Sequence, residues 1–166
     1  IAAVVVVANE IMRLVWRPLA KSFYRRPATA VARDLLGRYL VRDLDGERLA
    51  VRIVETEAYL GAGDRASHAW AGRRTARTEA MYLAGGHAYV YFVYGMHFCL
   101  NAVTGPAGEA QAVLLRAGEP MLGEQSLRRL RHLDGDILPG QVAGGPARLC
   151  QALAVDRAFY AATLWR

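Results

Sequence analysis

A chain of 166 residues with 54% hydrophobic and 22% charged positions suits one domain with a real core, and it is too apolar to be disordered. The formal net charge of +6 favours a polyanionic partner, nucleic acid or an anionic membrane surface, although a charge of this size also serves solubility alone. The basic residues are almost all arginine, with Lys21 the only lysine, which suits phosphate and base contacts and is also what a GC-rich genome produces.

In chain order, the opening run IAAVVVVA is too short to span a bilayer and lacks the basic segment of a signal peptide before it. Residues 1–22 are taken as an N-terminal extension, with Met12 as an alternative start, and residues 23–166 as the domain. Residues 27–38 read as a helix capped by Thr29, with Val31, Leu35 and Leu36 on its apolar face and Gly37 at its end. Residues 38–44 and 47–57 read as strands of a hairpin turned at Asp45-Gly46. Residues 61–80 are rich in Gly, Arg and Thr and predict a long surface loop. The aromatic, β-branched run 87–94 is a strand, Gly95-Met96 breaks it, and 97–103 is its hairpin partner. A turn at 104–109 leads into a strand over 110–117. Basic amphipathic helices follow at 121–133 and 145–155, the second with Pro146 at its first position. The class predicted is α+β: a single domain with a curved antiparallel sheet, flanking helices and a protruding β-hairpin.

Cys99 and Cys150 lie far apart in apolar patterns without CxxC spacing, and read as reduced core residues of an intracellular protein. His68, His87, His97 and His132 form no metal spacing, so neither a metal nor a cofactor is expected. A cytoplasmic protein, nucleoid-associated in a bacterium, is expected.

The stretch RIVETEAYLG, residues 52–61, carries the first chemical signal. Strand alternation places Leu49, Val51, Ile53, Glu55, Glu57 and Tyr59 on one face. Three core residues are thus followed by two carboxylates and a phenol. A carboxylate beside a core is costly unless it is paired or working, and an arginine nearby keeps it ionised and able to take a proton. The plain alternative is a strand that emerges into solvent.

YVYFVYGMHFCLN, residues 89–101, is the second. Tyr89 and Tyr91 share one face, and Phe92 and Tyr94 the other. Tyr89, Phe92 and Phe98 read as core, whereas Tyr94 and Met96 at an exposed tip suit a wedge that unstacks a base step. In the loop that follows Tyr59, His68 lies close in sequence, and Arg73, Arg74 and Arg77 supply charge of the kind that contacts phosphates, or a merely solvated surface. Arg116, late in an apolar strand, needs an acidic partner or an anionic substrate.

Together these segments resemble the alkyladenine (3-methyladenine) DNA glycosylase family. The resemblance is carried by RIVETEAYLG, by D-x-x-S-H at Asp64 to His68, by YVYFVYGMHFCLN, by AVLLRAGEP and by GP-x-RLCQALAVD at 145–156, in order from Phe23 to Leu164. It implies a monofunctional enzyme, active as a monomer on duplex DNA with damaged purines and without a membrane, that flips an alkylated purine and hydrolyses its glycosylic bond in base excision repair. It also assigns roles: Glu57 as the general base that activates water; Arg116 beside that water; Tyr59, His68 and Tyr91 around the flipped base; Asn101 as the screen of exocyclic groups; Tyr94 as the intercalating tip with Met96 beside it. Arg73, Arg74 and Arg77 are expected on the DNA backbone.

Two features depart from the family pattern. That pattern continues past residue 166 into a further strand whose backbone helps hold the water. Ala76 also stands where the family's T-P-R turn has proline. The alternative expectation is a non-catalytic nucleic-acid-binding module of the same fold.

Overall fold

The computed structural model describes residues 4–7, 17–138 and 140–165. Met12, the alternative start, lies outside the described residues. Among the described residues, six strands form one sheet: β1 (Val4–Val7), β2 (Tyr39–Leu44), β3 (Glu47–Tyr59), β4 (Ala88–Val93), β5 (His97–Thr104) and β6 (Gln111–Leu122), in the order β1-β2-β3-β6-β5-β4. Every neighbouring pair is antiparallel. Short helices accompany it: α1 (Lys21–Tyr24), α2 (Ala28–Leu35), α3 (Glu124–Leu130) and α4 (Pro146–Ala152). This is the α+β class expected, with the β4–β5 hairpin protruding.

Local chemistry explains most of the boundaries. Asp45 and Gly46 have φ of 51° and 83°, the left-handed pair that a tight hairpin requires, and they set the β2–β3 register at Leu44 opposite Glu47. Pro146 occupies the first turn of α4, where a missing N–H costs nothing. Three expectations fail at helix ends. Pro27 rather than Thr29 precedes the first turn of α2, with no side-chain cap. Leu36 falls outside that helix in extended conformation and is exposed. β6 runs on to Leu122, so the helix expected from 121 begins only after the left-handed Gly123.

The main core lies between one face of the sheet and the helices. It includes Val31 and Leu35 of α2, Leu49, Val51 and Ile53 of β3, Leu100 of β5, Val113 and Leu115 of β6, and Leu149, Cys150 and Leu153 around α4. Cys99 and Cys150 are both buried and unbridged. Phe92, read from the sequence as core, is instead exposed, with its ring 4.9 Å from that of Phe98. The opposite face carries a smaller cluster: Ala69, Ala80, Met81, Tyr89, Val103, Ala110 and Ala112. The expected loop covers that face. It is broken by short 3-10 turns at 61–63, 70–72 and 79–82, and it buries Ser67, Ala69, Thr78 and Ala80.

One irregularity decides the chemistry. Ile53 pairs with Gly118, Glu55 with Ala117 and Thr56 with Leu115, which leaves Val54 and Arg116 unpaired on their respective strands. Each strand therefore gains one residue and swaps faces, as bulges do. Past this point Thr56 and Ala58 face the main core: Thr56 Oγ1 donates to the Ala32 carbonyl of α2 at 2.9 Å, and Ala58 packs against the core cluster. On β6 the swap lies between Leu115, a core residue, and Gly118, where an added Cβ would meet Val51 Cγ2 at 2.7 Å. The alternation read from the sequence is thus corrected. Glu55, Glu57 and Tyr59 do not share a face with Leu49, Val51 and Ile53. The bulges turn them to the other side of the sheet.

Candidate functional site

That other side carries the candidate site. Tyr89 of β4 pairs with Asn101 of β5, Asn101 with Leu114 of β6, and Leu114 with Glu57 of β3. Residues directly opposite in a ladder share a face, so Glu57 and Tyr89 stand at two ends of one row. Tyr59 and Tyr91 lie two residues further along their strands, on the same face.

These strands and the covering loop enclose a cleft of about 250 Å³ including its mouth, lined by Tyr59, Ala66, His68, Met81, Tyr89, Tyr91 and Asn101. His68 comes from the loop. Its Nδ1 lies 2.8 Å from the Tyr89 hydroxyl, and its ring meets that of Tyr91 edge-on at 4.6 Å. Tyr89 and Tyr91 are 5.3 Å apart. The Asn101 amide is buried and donates through Nδ2 to the Tyr89 carbonyl at 3.1 Å. Four of the residues expected at the base pocket, Tyr59, His68, Tyr91 and Asn101, are therefore brought together.

The electrostatics keep the cleft neutral. Burial, then the charges of Arg77 and Arg73, hold His68 below its usual 6.5. Tyr59 is pushed up to about 12 by burial and by its hydrogen bond with Glu57, and Tyr89 to about 12 by burial. The walls are uncharged rings at neutral pH, with one carboxylate at the Tyr59 end.

That carboxylate is held by Arg116. Nη1 of Arg116 donates to Glu57 Oε2 at 2.6 Å, and Nε donates to Glu55 Oε1 at 2.9 Å. The acidic partner that the sequence demanded for Arg116 is thus two carboxylates, turned toward it by the bulges.

The remaining expected residues do not line the cleft. Tyr94 and Gly95, with φ of 54° and 67°, form the turn of the β4–β5 hairpin, closed by Met96 N–H on the Val93 carbonyl. Tyr94 is 87% and Met96 67% exposed, which leaves both side chains free to meet a partner. Arg77 donates to the Phe92 carbonyl at 3.2 Å and lies 5.3 Å from the centre of the Tyr91 ring. Arg74 pairs with Glu79 and stacks on Tyr82, so part of its charge is already met within the chain. Arg73 is exposed and makes no ion pair among the described residues.

A family model described as methylpurine-DNA glycosylase matches residues 22–166. The chain belongs to the methylpurine-DNA glycosylase family. Members are hydrolases that act on N-glycosylic bonds in DNA, within base excision repair. Among similar proteins, one from Methanocella arvoryzae is 50% identical over 141 residues, which cover 85% of this chain and 69% of that protein. One from Natranaerobius thermophilus is 45% identical over 137 residues, covering 82% and 69%. One from Desulfitobacterium hafniense is 44% identical over 146 residues, covering 85% and 72%. All three are provisionally named 3-methyladenine DNA glycosylase.

Sequence reasoning missed four contributors, the first being Tyr89, which reads as core in the sequence and also lines the cleft. Met81 and Ala66 line the cleft, and Tyr160 secures the loop above it. The Tyr160 hydroxyl accepts from Ala80 N–H at 2.9 Å and donates to the Ala76 carbonyl at 3.0 Å. Nothing local marks these residues, because their partners lie up to 84 positions away.

Proposed function

We propose that this glycosylase flips alkylated purines of the 3-methyladenine type out of duplex DNA into the tyrosine-lined cleft and releases them by hydrolysis. The observation that carries the reading is a carboxylate, Glu57, clamped by Arg116 at 2.6 Å on the face of the sheet that carries the cleft.

Glu57 takes a proton from water as the water oxygen bonds to the sugar C1′. The glycosylic C–N bond breaks, and its electron pair leaves with the purine. An alkylated purine that already carries positive charge departs as a neutral base, so little acid assistance is needed. The same positive charge gains about 0.5–2 kcal/mol against each neutral aromatic wall, an attraction that an undamaged base lacks. Asn101 on the cleft floor reads the exocyclic group of the base that enters. Tyr94 and Met96 fill the gap left in the stack. Water rather than an amine is the nucleophile: the only lysine, Lys21, holds its ammonium 4.7 Å over the Trp165 ring, at a residue that does not line the cleft.

The test is Glu57→Gln on duplex DNA with one 3-methyladenine or hypoxanthine, read by alkaline strand cleavage. Base release should fall by about 100-fold or more while lesion binding persists. Equal release by variant and wild type would overturn the assignment.

A further inference from the structure

We propose that Glu55 is a positioning residue for base release, acting through Arg116; this rests on the hydrolytic reading above. The Arg116 guanidinium is gripped on two edges, by Glu55 at Nε and by Glu57 at Nη1. A guanidinium is planar and its donors form a rigid fork. With two edges held, the direction of the third is set. Its Nη2, which has no partner among the described residues, is aimed in one orientation only. With Glu57 as sole partner, the plane can pivot about that contact, and the base loses its fixed bearing toward water and sugar. Hydrogen bonding to Glu55 is the leading reason that Arg116 holds its proton more firmly than usual. Glu55 also lies at the register slip between β3 and β6, so the bulge that turns Glu57 toward the cleft turns Glu55 with it.

Glu55 has a second property that separates this role from a structural one. Its side chain is 54% exposed, and it is acidic on a chain of net charge +6 that binds a polyanion. An acid there repels DNA phosphates. Its contributions to DNA affinity and to chemistry therefore have opposite signs, which a residue that merely supports the fold would not produce.

The experiment compares Glu55→Gln with wild type, in single-turnover base release and in binding to undamaged duplex at low salt. Base release should fall about three- to tenfold, a range set by the partial exposure of the pair. Binding to undamaged duplex should tighten about two- to threefold. In an Arg116→Ala background the same substitution should change release no further, because the residue it acts through is gone. Unchanged release by Glu55→Gln overturns the proposal. So does a loss of equal size in the Arg116→Ala background, or a parallel loss of release and DNA binding. Glu57→Gln run beside these keeps two failures apart. Release retained by Glu57→Gln sinks the hydrolytic reading itself, whereas an inactive Glu57→Gln beside a fully active Glu55→Gln sinks only the role of Glu55.

Discussion

His68 Nδ1 and the Tyr89 hydroxyl stand 2.8 Å apart, and this contact joins the covering loop to the sheet. The imidazole is neutral when it meets the phenol, since burial and the arginines Arg77 and Arg73 depress its protonation. Protonation would bring positive charge against a cationic purine.

Acid sensitivity follows from that depression. The unfolded chain takes up the His68 proton near the ordinary value of 6.5, before the folded chain does. Stability from this residue is whole above that value. It declines as pH falls toward the lower folded value, and is lost below it. Thermal melts between about pH 5 and 8 should show a steeper acid-side loss for wild type than for His68→Gln. Parallel curves would clear His68 of this role.

Tyr94 should matter for DNA and not for the fold. Its side chain is 87% exposed, so Tyr94→Ala should change unfolding free energy by no more than about 0.5 kcal/mol. Flipping, followed by the fluorescence of 2-aminopurine placed beside the lesion, should be lost. A variant that still raises that fluorescence as wild type does would leave Tyr94 an ordinary surface residue.

Tyr160 is expected to hold the roof of the cleft. Tyr160→Phe removes the acceptor of Ala80 N–H and the donor to the Ala76 carbonyl. Urea unfolding should show a loss of about 1–2 kcal/mol, with weaker lesion binding as the loop loosens. An unshifted midpoint would mean that the loop is secured elsewhere.

Arg73 and Arg74 should differ although they are neighbours. Affinity for duplex DNA falls with salt, by about 0.9 in the logarithmic slope for each phosphate neutralised. Arg73→Ala should reduce the slope by about that amount. Arg74→Ala should reduce it less, because Glu79 already meets that guanidinium. Equal reductions would show that DNA displaces the Arg74–Glu79 pair.

Much of this was legible in the amino-acid order. The Asp45-Gly46 turn, Pro146 at the start of α4 and the aromatic strand of β4 follow from residue chemistry that acts over a few positions. The resemblance, not residue chemistry, assigns Tyr59, His68, Tyr91 and Asn101 to a pocket, and all four line one cavity. The face assignment of Glu57 was wrong, because alternation assumes an unbroken ladder and Val54 and Arg116 break it. Nor did spacing along the chain reveal that Tyr160 secures residues 76 and 80.

The amino-acid sequence alone determined most of the strands and helices and the hairpin tip, though neither β1 nor α1, because turn propensity and apolar period are local properties. Tertiary structure decided which face of the sheet Glu55 and Glu57 take and how they share Arg116. A bulge is defined only by counting residues against the partner strand, and here that partner lies 59 to 61 positions away.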